Sequence, residues 1–329
     1  MSSIVTNSAA MTALQSLTAT MKNMESTQSR ISTGLRVNTA ADNAAYWSIA
    51  TTMRSDKSAL STVTDALNLG SSTIDVAYTG MNSAIEVANQ IKQKLVAAAQ
   101  PGIDRTKVQA EIKQLQAQLK SNADSAVFSG QNWLSIDSGS TGYNSTKSIV
   151  SSFQHDASGA VSVGTISIDA SGISLFDVAT GGGTSPNGIL DKVDTTTVGT
   201  HISAAGVVTS SAAGGTGVSV FTLDISALTD SAGDLATLNA FTRQTDSAIA
   251  KMTDAASSLG SAKSRVSLQQ SFVSSLMSSI DKGIGSLVDA DMTQESTRLQ
   301  ALQVQQQLGV QALSIANQSA QSILSLFRG

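Results

Sequence analysis

The amino-acid sequence predicts a mainly α protein: a long coiled-coil-like helical bundle built from both chain ends, plus a small β-rich outer lobe. Three observations predict it. Residues 1 to about 137 and about 234 to 329 carry apolar residues at helical spacing. The segment between them, about 139 to 233, holds 15 of the 25 glycines and only 9 charged residues in 95. The whole chain of 329 residues is 13% charged, with no cysteine, two prolines and net charge −4. Helical ends around a Gly/Ser/Thr-rich middle imply that the two ends pair and that the middle forms a separate lobe.

Residues 1 to 21 carry no charged side chain, and Ile4, Met11, Leu14, Leu17, Met21, Met24 and Ile31 form a thin apolar stripe. Thr39-Ala-Ala-Asp42 has the spacing of a capping box and is expected to start a long helix. From Ile49, steps of four and three run through Met53, Asp56, Leu60, Val63, Leu67, Gly70, Ile74, Ala77, Met81, Ala84, Ala88, Ile91 and Leu95. Twelve of these fourteen positions are apolar or alanine, so one seam follows a single helix roughly 70 Å long. The misfits are Asp56 and Gly70, and Gly70 reads as a tolerated helix glycine. Pro101-Gly102 ends the helix. A shorter one follows, with Val108, Ile112, Leu115, Leu119 and Ala126 on one face, and it is expected to run back antiparallel.

In the middle, Val161-Ser-Val163, Thr165-Ile-Ser-Ile168 and Val218 to Ile225 alternate with period two and are expected as strands. Ser185-Pro-Asn-Gly188 is turn chemistry. A third long helix is expected from Leu235, Leu238, Ile249, Met252, Leu259, Val266, Val273, Met277 and Ile280. The C-terminal stripe comprises Leu299, Leu302, Leu313, Ala316, Ala320, Ile323 and Phe327, with Gln306 and Gly309 between.

Composition narrows function. Without cysteine there is no disulfide, thiolate metal site or cysteine nucleophile. Two separated histidines, His155 and His201, offer no zinc motif. Gly181-Gly-Gly183 lacks the lysine and helix of a phosphate loop, and Asp191-x-x-Asp194 is too sparse for calcium. No enzyme activity, metal or cofactor is expected. A near-neutral chain without a basic run speaks against nucleic acid as partner. No stretch of about 18 apolar residues suggests a membrane span. The first charged side chain is Lys22, so no basic n-region of a cleaved secretory signal is present. The faces opposite the terminal stripes are Gln, Ser, Thr and Asn, which suits packing among many neighbours because ions there would lose hydration. Stripes this thin offset little of the ordering cost of about 1–2 kcal/mol per residue. Both ends are therefore expected to be disordered in the free monomer and to fold on self-assembly, the alternative being an intramolecular coiled coil.

Several motifs carry a resemblance. Gln28-Ser-Arg-Ile-Ser-Thr-Gly-Leu-Arg-Val-Asn-Thr-Ala-Ala-Asp-Asn-Ala-Ala45 resembles the N-terminal signature of bacterial flagellin. Asp289-Ala-Asp291 with Glu295, Gln305-Gln-Gln-Leu-Gly309, Ala316-Asn-Gln318 and Leu324-Ser-Leu-Phe-Arg328 resemble its C-terminal region, and Gln109-Ala-Glu-Ile112 also matches. Tyr46-Trp47 and Met53-Arg54-Ser55-Asp56 are similar to flagellins of the rhizobial type. The resemblance covers about residues 1–137 and 234–329, and the middle matches no motif. It implies an extracellular subunit that polymerises into the motility filament after unfolded export by the flagellar type III apparatus. A hook–filament junction protein, sharing the terminal helices, is the alternative.

The resemblance also implies an organisation and a set of sites. Residues 1–38 with 285–329 form a terminal-helix core domain, 39–137 with 234–284 a helical bundle, and 138–233 the variable outer domain. Ile4, Met11, Leu14, Met21, Leu299, Leu302, Leu313, Ile323 and Phe327 form the core assembly seam. Arg36, Asn38 and Asp42 link subunits. The implied partners are further copies, including sister flagellins, with an export chaperone, cap and junction proteins. Ala88 to Val96 aligns with the patch read by the animal innate-immune receptor. Gln90 and Gln93 replace an arginine and an acid there, while Lys92 and Glu111 keep their charge types, so weak recognition is expected. Tyr46 and Trp47 replace smaller residues in the segment read by plants, with the same expectation.

Overall fold

A computed structural model describes residues 7–155, 160–178, 188–192, 201–202, 208–209 and 218–328. It contains helices α1 (Ser8–Thr33), α2 (Ala44–Ala98) and α3 (Arg105–Ser125), then, after the strands, α4 (Ala232–Val288) and α5 (Met292–Arg328). The strands are β1 (Val127–Phe128), β2 (Gln131–Asn132), β3 (Ser135–Ile136), β4 (Thr146–His155), β5 (Val161–Asp169), β6 (Phe176–Asp177), β7 (His201–Ile202) and β8 (Val208–Thr209). Among the described residues they form two-stranded sheets: β1–β2, β4–β5 and β7–β8 antiparallel, β3–β6 parallel. The mainly α class with a small strand-containing middle is the one the periodicity predicts. By compactness the chain divides into two units, Met1–Ala59 with Ser275–Gly329, and Leu60–Ser274.

In the first unit α1 pairs with α5. Asn7 caps α1 by accepting from the Ala10 amide at 3.0 Å, and Gly34 closes it at φ +72°, a left-handed conformation that glycine adopts without strain. The link to α2 is fastened to the α4–α5 junction. Arg36 and Val37 amides both donate to the Val288 carbonyl (2.7 and 3.2 Å), and the Ala290 amide donates to Gly34 (2.9 Å). Val37, Ala50, Ile284 and Val288 form a small core beneath. The start of α2 differs from the capping-box expectation. Asn43, not Thr39, caps the helix by accepting from the Tyr46 amide at 3.1 Å. Asp42 instead folds back onto Thr39 and Asn38, closing a separate turn before the helix begins.

In the second unit every seam position of α2 from Leu60 to Leu95 is buried, Gly70 included. Leu238, Met252, Leu259, Val266 and Val273 of α4 are buried as expected. Pairs along these two helices keep one antiparallel register: Asn68 with Gln270 (2.9 Å), Asp75 with Lys263 (2.6 Å) and Lys92 with Asp246 (2.5 Å). Gly70 is not merely tolerated. A Cβ there would lie 2.5 Å from Ile149 Cγ2 of β4, so the glycine lets the β4–β5 hairpin lie against α2. Gly80 does the same for Leu134, at 2.7 Å.

Val161–Ile168 forms β5 as expected, but Val218–Ile225 is not a strand. Its alternation is real, since Leu223 and Ile225 are buried between exposed Thr222 and Asp224. Its backbone bonds to side chains of α3 and α4 and to the Leu190 carbonyl rather than to a neighbouring strand. Gln109 donates to Leu223 O (3.3 Å) and accepts from the Ile225 amide (3.0 Å), and Gln116 donates to Val220 O (3.1 Å). Of the expected turn Ser185–Gly188, the first three residues lie outside the described residues, as do Gly181–Gly183 and Asp194.

Candidate assembly surfaces

Two faces must be distinguished on each terminal helix. From Glu295 the inner face of α5 runs by steps of four and three through Leu299, Leu302, Gln306, Gly309, Leu313 and Ala316, all buried or half-buried. Its counterpart on α1 includes Leu17, Met24, Thr27 and Ile31. A Cβ on Gly309 would stand 3.2 Å from Leu17, so the helices approach closely there. Polar contacts pin both ends of the pair. The Asn7 side-chain amide donates to Ala316 O at 3.0 Å, and Arg30 Nη1 meets Glu295 Oε1 at 3.2 Å.

The structure thus separates the residues of the expected seam. Leu299, Leu302 and Leu313 face α1 within the same chain. Met11, Leu14 and Met21 lie on the outer side of α1, each at least half exposed. Ile4 and the side chains of Ile323 and Phe327 lie outside the described residues. Sequence reasoning missed the outer apolar stripe of α5: Val304, Leu308 and Ile315, each more than half exposed. Their spacing of four and seven was the available signal, hidden among glutamines. The structure gives α1 and α5 as paired helices, and among the described residues of the pair only Thr27, Glu295 and Leu302 are buried.

The link residues have local tasks. Arg36 Nη2 donates to Leu287 O at 3.0 Å and is otherwise exposed. Asp42 accepts from the Thr39 amide (2.9 Å), the Asn38 amide (3.1 Å) and the Thr39 hydroxyl (3.1 Å). Those backbone donors hold its carboxyl below the usual range, with the hydroxyl adding to them. Asp291 caps α5 by accepting from the amides of Thr293 (2.9 Å) and Gln294 (3.1 Å). On α2 and α3, Gln90, Gln93 and Glu111 are exposed and Lys92 is half-buried. Lys92 is held by Asp246, and Glu111 by Lys94 at 2.5 Å. His155 meets Phe153 edge-on at 5.2 Å in the β4–β5 hairpin. Among the described residues no helix is long and apolar enough to cross a membrane.

Paired terminal helices around a small strand-containing middle define a mainly α-helical protein of structural type, with an exposed apolar stripe on each terminal helix. Comparison with known proteins places it more closely. The flagellin N-terminal helical region matches residues 4–138 and the C-terminal helical region residues 242–327. The chain is 48% identical over 339 residues to flagellin C of Rhizobium meliloti strain 1021, with both chains fully covered. It is 45% identical over 408 residues to a flagellin A of Rhizobium meliloti and 42% over 330 residues to a flagellin of Brucella melitensis, again with full coverage. The chain belongs to the bacterial flagellins, of the rhizobial type, and is a structural subunit of the flagellar filament. The likeness spans the middle segment too, where no motif had matched.

Proposed function

We propose that the chain is exported unfolded by the flagellar type III apparatus, escorted by a chaperone, and added between cap and junction proteins to a filament whose innermost layer is the α1–α5 pair. In this reading residues 1–38 with 285–329 form that layer, 39–137 with 234–284 the next, and 138–233 the outer domain. The observation that carries it is the pair of outer stripes, Met11, Leu14 and Met21 on α1 and Val304, Leu308 and Ile315 on α5, apolar and exposed on one chain. Apolar residues exposed in a row along a helix mark an interaction site. Arg36, Asn38 and Asp42 extend that contact at the link. The absence of cysteine suits passage through a narrow channel.

Recognition by the animal receptor is weak in this reading, because Gln90 and Gln93 cannot make the charged contacts of an arginine and an acid. The chain functions without cofactor and without catalysis. Electron microscopy of purified protein with filament seeds tests the assignment. Long filaments are expected, whereas a short cap of added protein that then stops would assign the chain to the junction.

A further inference from the structure

Away from the terminal helices, α4 carries an apolar knob without an intramolecular task. Leu268 and Phe272, one turn apart, are 69% and 58% exposed. They stand among exposed Ser264, Arg265, Ser271 and Ser275. Gln270, between them in sequence, bonds to Asn68 of α2, so the knob points away from that helix. The same unit has a cavity of about 400 Å³ lined by Val76, Thr79, Gly80 and Ser83 of α2 and by Ser125 and Ala126. Asn122 and Asp75 complete the lining, which is otherwise small and uncharged, and Lys263 meets Asp75 at 2.6 Å. Small residues leave this open depression in the surface, and a projecting aromatic side chain can enter it.

We propose that the Leu268–Phe272 knob of one copy seats in the Val76–Ala126 cavity of the next copy along the filament. The inference rests on the filament reading and names a contact within it. Knob and hole are different surfaces, so the contact is heterologous and propagates without closing, as a filament requires. Since Asn68 stands opposite Gln270, the knob lies level with about residue 68 of α2, whereas the cavity centres near Gly80. That is an axial offset of roughly 18 Å. The contact is also small. A Leu–Phe pair covers about 300–400 Å² of its own surface, well under the roughly 1,000 Å² of a stable independent interface. Monomers therefore do not pair through it in dilute solution, and it forms only when the terminal helices already hold neighbours together.

The absence of cysteine makes the test direct. Phe272→Cys and Ser83→Cys chains are mixed in equal amounts into an excess of wild-type protein, polymerised on seeds and treated with a short thiol cross-linker. A dimer linked between position 272 of one chain and position 83 of the other is expected in filaments and not in dilute monomer. A Phe272→Cys and Leu69→Cys mixture, exposed on both sides where Ser83 is half-buried, serves as the background. As a second readout, Phe272→Ser is expected to raise the critical concentration for elongation about tenfold with the monomer's unfolding midpoint unchanged. Normal filaments whose 272–83 linkage does not exceed the 272–69 background overturn the contact and leave the filament reading standing. Failure of wild-type protein to elongate at all overturns both.

Discussion

Side-chain amides replace backbone partners at a place where a strand was expected. Gln109 and Gln116 are buried on α3 and bond to the backbone of Val220, Leu223 and Ile225. Gln109→Leu leaves the Leu223 carbonyl with one donor fewer and the Ile225 amide with none, at a cost of about 1–3 kcal/mol in denaturant unfolding. Arg105 is a second such residue. Its buried guanidinium bonds to Ala98 O (3.0 Å), Leu228 O (3.1 Å) and Asp230 Oδ1 (2.7 Å), tying the Pro101–Gly102 turn to the approach of α4. Asp191 works in the opposite sense. Burial pushes its carboxyl up, and the neighbouring Asp177 charge adds to this against the Asp177 amide that it accepts at 2.6 Å. A carboxyl raised in the folded state binds its proton more tightly there than in the unfolded chain. Its ionisation therefore costs stability at neutral pH, and that loss is recovered as pH falls through the folded value toward the unfolded one. Asp191→Asn is expected to be at least as stable as wild type at pH 7, the gap closing below about pH 4. Unfolding midpoints across that range check it, and a gap that widens in acid would contradict the assignment.

Among the elements, those with a long repeat were legible. The seam from Leu60 to Leu95 is buried at every position because one helix in a bundle presents one face throughout. Elements decided by local competition were not. Thr39–Asp42 has the right spacing for a cap, but Asn43 lies nearer the helix and takes the Tyr46 amide. The alternation at Leu223 and Ile225 reports burial on one side, which a single extended segment on a helix shares with a strand. Gly70 could not be read because its reason, Ile149, lies far along the chain in another element. Gly70→Val is expected to force the β4–β5 hairpin off α2 and to cost about 1–3 kcal/mol through overpacking. Amide exchange of Val150 and Thr165 should then accelerate more than exchange in α5. Unchanged exchange in the hairpin would show that Ile149 absorbs the new side chain by rotation.

For the whole molecule, the apolar residues of the terminal helices serve two ends, and the sequence pattern alone merged them. A heptad reading selects the strongest seam, and in α5 that seam is spent inside the chain on α1. The outer stripe was illegible because Val304, Leu308 and Ile315 are spaced among glutamines that neither mark a charged outer face nor exclude a buried one. The two faces make opposite predictions. Leu302 is 7% exposed and faces α1, so Leu302→Ala should weaken the α1–α5 pair in the monomer by about 2–3 kcal/mol, read as faster amide exchange in both helices. Ile315 is 64% exposed, so Ile315→Asp should leave monomer stability within about 0.5 kcal/mol. In the filament the same aspartate would enter a desolvated contact without a partner, and elongation from seeds should stop. If Ile315→Asp filaments grew at the wild-type rate, the outer stripe would face solvent after assembly. The innermost layer would then have to be built through the face that α1 now covers, by separation of the two helices.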